Sequence, residues 1–582
     1  RLNIMSNIFS NIWYLYKWLA FKRRIQFFLI VIFSIFVSTM EMIAVGSIVP
    51  FVSSVVNSES VFGTSFIIYL ENSFQISERN DLIMILAIIF VVFAIITGIC
   101  RSILIYIISY YSNVVLAEIG STIYSQKLNE PFLKFIAKSS DEIISLISAK
   151  LLQIYGVISG ILLLLTSLIL LISIIGILLF IDFKLTLISM SVFGLLYVSV
   201  ILFFRKTLLK NSEIISQNQT LMVKSLQEGV GSIRDIILDG NQKIHIDSFS
   251  KLIFERGFKV AINDLIAQSP RFLLETVGII LISIFLFFFS SKEIGVLGLF
   301  PVLSALALGA QKIMPLMNVV YTQYTTAASN SHQLNEAIVV LKQEIKKIDN
   351  NDIYQKFIFK NKIFLKDVSF RYRNNAPKVI ENINFQISKG SKVGIIGKTG
   401  VGKSTLLDLI MGLLSPTSGE IYVDDKLVTD ENSVSWRKNV THVPQDIFLI
   451  DGSILENIAL GVPEHKVDKI KAEECAKKSE IFNFIQSLPN KFYENVGERG
   501  IKLSGGQKQR IGIARALYRE SELIVLDEAT NALDLKTEKK IINSVGKFKN
   551  ITIIMVAHRI DTLKICDKIY KVENNKIIES NI

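Results

Sequence analysis

Apolar residues follow two different patterns along this chain, and the change falls near residue 340. Before it, six long segments are almost continuously apolar: about 25–53, 81–117, 146–181, 185–209, 260–290 and 295–327. A helix needs roughly 20 apolar residues to cross the hydrocarbon core of a bilayer. Several segments exceed that length, which predicts spanning helices that continue into water. After the change, short apolar runs alternate with Gly turns and with helical periodicity, which predicts an α/β fold. The stretch 341–362 between them is charged and Asn-rich and reads as a linker. The expected layout is a helical membrane domain over 1–340 with six spans, a linker over 341–362, and an α/β domain over 363–582.

The polar positions refine this layout. Residues 6–22 mix Trp13, Tyr14, Tyr16, Lys17 and Trp18 with apolar residues, which predicts an amphipathic helix lying in the membrane interface. Lys22, Arg23 and Arg24 stand just before the first apolar segment. Lys127, Lys134, Lys138, Arg205, Lys206, Lys210, Arg234 and Lys243 fall in alternate connecting stretches. Basic residues mark the cytoplasmic side, so the first span runs outward. The outer loops are then 57–80, with Phe66–Leu70 as a candidate surface helix, and short turns near Asp182–Lys184 and Ser291–Glu293. The inner stretches, about 118–145 and 210–259, are long and polar. Within them, Asn129–Phe132 and Gly231–Ile236 are candidate contact points for a soluble domain.

Half of the residues are hydrophobic and the net charge is +12. A basic chain suggests nucleic acid, but here the charge follows the positive-inside pattern, so anionic membrane lipid is the expected partner and nucleic acid is not. The three cysteines are far apart and fit no metal spacing, and the five histidines form no ligand pair.

Chemistry is concentrated in the C-terminal part. Gly397-Lys398-Thr399-Gly400-Val401-Gly402-Lys403-Ser404 follows the strand-like run Lys392–Ile396, and Thr405 continues into a helical pattern. Strand, Gly-rich turn and helix form the context of a phosphate-binding loop, in which backbone N–H groups and a helix N-terminus face a triphosphate. Lys403 is expected to pair with the β- and γ-phosphates, and the Ser404 hydroxyl to ligate Mg²⁺. Leu523–Leu526 reads as a buried parallel strand ending in Asp527 and Glu528. Asp527 is placed to reach Mg²⁺, directly or through water, and Glu528 to orient and deprotonate the attacking water.

With these motifs the chain resembles an ATP-binding-cassette (ABC) exporter of the half-transporter kind. The resemblance implies that Leu503-Ser504-Gly505-Gly506-Gln507 caps ATP bound to a second copy of the chain, with Ser504 and Gly506 at the γ-phosphate. A serine and two glycines opening a helix agree with that role, because such an end attracts anions. By the same resemblance Tyr372 stacks on adenine, Gln445 touches Mg²⁺ and signals to the membrane domain, and His558 contacts the γ-phosphate. Asn531-Ala-Leu-Asp534 matches the loop that couples the two sites, with Asn531 where the family often has Ser, and Gly497–Gly500 matches an element facing the inner loops. The expected cofactors are ATP and Mg²⁺. The expected assembly is a homodimer in a bacterial inner membrane with its ATPase domain in the cytoplasm.

Charges inside membrane spans cost roughly 2.5–3.5 kcal/mol each on insertion scales, so they need a reason. Glu41, Arg101, Arg271 and Lys312 stand out, and Glu275 lies one turn after Arg271. Counted along the helices, Arg101, Arg271 and Lys312 fall at a common depth, roughly 25–30 Å below the outer surface. A ring of basic groups around an anionic headgroup is one reading. Snorkelling to the inner interface and internal pairing with Glu41 and Glu275 are the others. Pro270–Glu275, Lys312–Pro315 and the 57–80 loop resemble the lipid-linked oligosaccharide flippases within the exporter family. The expected function is ATP-driven flipping of a polyprenyl-pyrophosphate-linked saccharide. Export of another amphiphile, or a membrane sensor ATPase that moves nothing, are the alternatives.

Overall fold

The computed structural model describes residues 3–56, 79–137, 140–181, 183–290, 295–343, 357–373, 375–529, 535–546, 550–557 and 559–580. Two compact units emerge. One comprises Arg1–Asn129 and Lys138–Ile345, the other Lys346–Ile582 together with the short piece Glu130–Ala137.

The first unit is entirely helical among its described residues. It contains α1 (Asn3–Trp18), α2 (Phe21–Gly46), α3 (Ile48–Val56), α4 (Arg79–Leu128), α6 (Leu151–Ile181), α7 (Phe183–Gly231), α8 (Ile233–Asp239), α9 (Gln242–Ser290), α10 (Gly295–Ser329) and α11 (Ser331–Leu341); the short α5 (Phe132–Ile136) belongs to the other unit. Among the described residues, Phe21–Val55, Asn80–Leu128 and Ser140–Ile181 are long and apolar enough to cross a membrane. Helix α4 has 50 residues, roughly 75 Å at 1.5 Å per residue, so it extends well beyond a bilayer. The continuous span expected over 25–53 is divided at Ser47, between α2 and α3. Pro50 explains the break, since it has no N–H for the Gly46 carbonyl and its ring crowds that oxygen. The interfacial helix expected over 6–22 ends at Trp18, and α2 starts at Phe21 after Leu19 turns inward. A core of Val37, Ile108, Val115, Ile119, Ile154 and Ile174, all nearly inaccessible, joins α2, α4 and α6. Most of loop 57–80 with Phe66–Leu70, Asp182, Ser291–Glu293 and most of the linker lie outside the described residues.

The second unit has two sheets. Strands β1 (Lys362–Phe370), β2 (Ile380–Ser388), β4 (Ser418–Val423) and β5 (Lys426–Leu427) form an antiparallel sheet in the order β2-β1-β4-β5. Strands β3 (Lys392–Ile396), β6 (Val440–Val443), β7 (Leu523–Asp527), β8 (Thr552–Val556), β9 (Lys568–Glu573) and β10 (Lys576–Glu579) form the other, in the order β10-β9-β3-β8-β7-β6. Here β9, β3, β8, β7 and β6 run parallel. The near-continuous apolar runs of β7 and β8 are the mark of strands covered on both faces, and all five residues of β8 are buried. Helices α12 (Lys403–Ile410), α13 (Lys469–Lys478), α14 (Gly505–Tyr518) and α15 (Leu535–Gly546) are the longer helices of the unit among the described residues. The core between the sheets centres on Phe359, Leu406, Ile410 and fully buried Trp436, whose indole N–H donates to the Ile410 carbonyl at 2.8 Å. Phe132 and Leu133 of α5 pack against this core.

Candidate functional site

Parallel strands place their carboxyl ends on one edge of a sheet, and ligands of such sheets bind there. The register brings Ile395 of β3, Val556 of β8 and Asp527 of β7 into one row, with Val443 of β6 opposite Leu526. The Gly-rich loop after β3, Asp527 at the end of β7 with Glu528 just after it, and Gln445 after β6 therefore converge on this edge. That convergence depends on strand order and is invisible in any one motif.

Gly397 to Gly402 wrap between β3 and α12. Gly402 is the residue before α12, with φ 102°, and an added Cβ would lie 3.0 Å from Val379 Cγ1 and 3.1 Å from its carbonyl. The backbone at Gly402 is thus fitted closely against Val379, in a conformation and a space that suit glycine. Lys398, Thr399 and Gly400 are exposed on the loop, and Val401 is half-buried. The Lys403 ammonium folds over the loop and donates to the Gly397 carbonyl at 2.7 Å and the Lys398 carbonyl at 3.1 Å. Ser404 is exposed at the start of α12, while Thr405 is buried and shares a 2.9 Å hydrogen bond with the Tyr372 hydroxyl. Phe370 meets the Tyr372 ring edge-on with centroids 5.0 Å apart, leaving much of the tyrosine exposed beside the loop.

Asp527 is half-buried, and its carboxyl is pushed up by burial and by Glu528, with Lys403 opposing. Asp408, two turns into α12, is pushed up to about 6 by burial and by Asp527. The sequence reading missed Asp408; its position four residues after Ser404 on the same helix face was the available signal. Glu528 adopts φ 52°, a left-handed conformation uncommon outside glycine, and its N–H donates to the Val556 carbonyl at 3.0 Å. Gln445 is exposed just past β6. The hydroxyl, amide and carboxylate oxygens of Ser404, Gln445 and Asp527 form a hard donor set, and a cation would relieve the acidic crowding at Asp527, so the residues fit Mg²⁺.

Ser504 caps α14. Its hydroxyl accepts the Gln507 N–H at 3.3 Å, and its own N–H donates to the Gln507 side chain at 2.7 Å. This capping box fixes the helix start and assigns Gln507 a structural role that the motif alone did not reveal. Ser504 and Gly505 remain exposed at that end, and Gly506 is half-buried. Gly497–Gly500 form a tight turn with Arg499 at φ 50°. His558, Asn531 and Asp534 lie outside the described residues.

In the membrane unit, the Lys312 ammonium of α10 lies 2.8 Å from the Glu41 carboxylate of α2; the lysine side chain is 39% exposed and the glutamate 3%. Arg271 pairs with Glu275 along α9 at 2.8 Å, both open to the surroundings. Arg101 is half-buried on α4 and has no ion pair or hydrogen bond from its side chain among the described residues. Two of the three basic groups expected at a common depth thus have acidic partners, and the third has none among the described residues.

A family model described as "ABC transporter" matches residues 380–531. The putative multidrug export ATP-binding/permease protein YgaD of Bacillus subtilis (strain 168) is 28% identical over 519 residues, 86% of each chain. The putative multidrug export ATP-binding/permease protein SAOUHSC_02003 of Staphylococcus aureus (strain NCTC 8325 / PS 47) is 30% identical over 420 residues, 70% of each chain. The chain belongs to the ABC transporters. A solved bacterial Atm1-family ABC exporter with ATP bound shares the fold, with a TM-score of 0.77 over 96% of this chain and 94% of that one at 18% identity. This ABC exporter is accordingly a multi-pass membrane protein whose α/β unit binds and hydrolyses ATP to drive transport. The comparisons support no particular cargo, and the flippase branch finds no support in them.

Proposed function

We propose that the exporter is half of a homodimer in the bacterial inner membrane, and that it moves an amphiphile with an anionic headgroup, best fitted by a polyprenyl-pyrophosphate-linked saccharide. In this reading residues 1–340 form the membrane domain, 341–362 the linker and 363–582 the ATPase domain. The Gly397–Thr405 loop cradles the phosphates of ATP, Lys403 pairs with the β- and γ-phosphates, and Tyr372 stacks on adenine. Glu528 orients the attacking water and accepts its proton. Ser404, Gln445 and Asp527 hold Mg²⁺, which when bound would neutralise charge on the phosphates. Ser504, Gly505 and Gly506 close over the ATP of the second copy, while His558 and Asp534 complete the γ-phosphate contacts and the coupling between sites. The open N-terminal end of α14 supports closure in trans, since an anion-attracting helix end is left facing out. Apolar side chains on and beside α8, including Ile233, Ile237 and Leu238, are likewise exposed and suit burial against a second copy.

The observation that carries the cargo reading is Arg101, a half-buried cation on a membrane helix without an acidic partner among the described residues. A phosphate matches a guanidinium in charge and in fork geometry. The test is ATP hydrolysis in nanodiscs, with and without a pyrophosphate-linked polyprenyl saccharide. The expected result is stimulation in the wild type and its loss in Arg101→Ala with basal turnover kept. Equal stimulation in both proteins contradicts the proposal. The relatives named for multidrug export favour a second reading, an apolar or cationic drug. Stimulation by such a drug, insensitive to Arg101→Ala, supports that reading instead.

A further inference from the structure

We infer that the elbow between α1 and α2 holds one anionic phospholipid of the inner leaflet, with its phosphate on the basic cluster at Lys17–Arg24 and one acyl chain in a groove between α2 and α4. The groove has a volume of about 310 Å³ and is lined by Leu29, Phe33, Ile107, Tyr110, Tyr111 and Val114, among others. Tyr110 leaves its ring exposed at the rim, while Tyr111 is buried and its hydroxyl donates to the Arg23 carbonyl at 3.2 Å, tying the groove to the elbow. Counted along α2, the lining residues lie roughly 6–17 Å from Lys22 towards the membrane interior. That is the depth of one leaflet's hydrocarbon, about half of a 30 Å core.

The mouth is basic and aromatic. Arg23 is fixed by Glu118 at 2.8 Å and by Gln26 at 2.8 Å. Arg24 donates to the Leu19 carbonyl at 2.9 Å and to the Lys17 carbonyl, and lies 5.8 Å from the centre of the Tyr16 ring. Lys17 sits 5.3 Å from the Trp13 ring centre. Lys22 is exposed and has no side-chain partner among the described residues. Four cations thus face one carboxylate in this network, so charge selects an anionic headgroup, and the aromatic rings suit the interfacial depth. An ordinary lipid-facing surface is convex and uniformly apolar. Here a concave apolar slot, lined at one end by Gln26 and Tyr111, which both bond to Arg23, adjoins an elbow with an excess of positive charge.

The test uses the full chain in vesicles of phosphatidylcholine. Trp13→Phe and Trp18→Phe remove the native interfacial reporters, and Leu29→Trp places a new one at the exposed groove rim; Trp436 is fully buried in the other unit. Quenching by brominated phosphatidylglycerol is compared with quenching by brominated phosphatidylcholine. The proposal expects a preference for the anionic lipid that falls roughly fivefold for each charge removed in Lys17→Gln and Lys22→Gln, and that weakens with salt. Equal quenching by both lipids overturns it. Should the tryptophan changes disturb the elbow, native mass spectrometry of the unaltered protein decides. Retained phosphatidylglycerol that is lost in Lys17→Gln/Lys22→Gln supports the site, and retention unchanged by those substitutions refutes it.

Discussion

The ion pair between Glu41 and Lys312 gives an asymmetric prediction, because the two partners are buried so differently. The separation is 2.8 Å, with the glutamate side chain 3% and the lysine side chain 39% exposed. Lys312→Met leaves a buried carboxylate alone, a defect that costs about 3–5 kcal/mol. Glu41→Gln leaves a lysine whose flexible stem can carry its charge towards the inner interface and whose ammonium can still donate to the amide oxygen, so the cost is expected to be smaller. Removing both charges together leaves two groups of similar shape and no stranded ion, and is expected to be nearly neutral. The assay is the thermal midpoint of the purified exporter in nanodiscs, read by size-exclusion chromatography after heating. Lys312→Met should lower the midpoint by several degrees, Glu41→Gln by little, and the double variant should return close to wild type. Equal losses in the two single variants, or a double variant as unstable as Lys312→Met, would refute the burial argument.

Four further outcomes follow from the ATPase unit. Glu528→Gln keeps side-chain shape but removes the proposed base, so ATP binding should persist while turnover falls roughly 10²–10⁴-fold; near-normal phosphate release would exclude Glu528 from that role. Gly402→Ala forces a Cβ to within 3.0 Å of Val379 Cγ1 at φ 102°, so ATP binding, followed by a fluorescent analogue, should be lost while the fold is kept. Mixing Lys403→Ala chains with Ser504→Arg chains should restore part of the activity absent from either alone, since a heterodimer has one intact site; no recovery speaks against closure in trans. Asp424 accepts the N–H groups of Lys360, Asn361 and Lys362 at 2.7, 2.7 and 2.8 Å. Burial raises its pKa, but these hydrogen bonds outweigh it and hold the carboxyl below its ordinary value of 3.8. The carboxylate therefore stabilises the fold above that value and loses its contribution as pH falls through the lower folded value. Asp424→Ala should cost about 1 kcal/mol at neutral pH after solvent screening, with the difference from wild type vanishing in strong acid.

What could be read from sequence depended on how local the cause was. The runs Lys392–Ile396 and Leu523–Leu526 announce buried parallel strands because both faces are covered, and that needs no knowledge of neighbours. The long apolar segments announce membrane helices for a similar reason. The break at Ser47 was also local, yet Pro50 was outweighed by the apolar run around it. The grouping of Phe132–Ile136 with the ATPase unit was legible in part, because Asn129–Phe132 lies in a polar inner stretch long enough to reach a soluble domain, but the packing of Phe132 and Leu133 depends on tertiary contacts that a five-residue helix does not advertise. The closeness of Asp408 to Asp527, and of Tyr372 to Thr405, comes from the strand order rather than from any motif. In the membrane, internal pairing and an anion-binding ring were both open, because depth along a helix says nothing of which way a side chain turns. The structure gives Lys312 and Arg271 acidic partners and leaves Arg101 with none among the described residues.

The central claim is that ATP hydrolysis moves a lipid with an anionic head from one leaflet to the other. It is tested most directly by reconstituting the exporter in liposomes with a fluorescent pyrophosphate-linked polyprenyl saccharide and following how much label remains open to a membrane-impermeant quencher. ATP should shift the label between leaflets in the wild type, not in Glu528→Gln, and only weakly in Arg101→Ala. A label that keeps its original distribution while the wild type hydrolyses ATP would contradict the account.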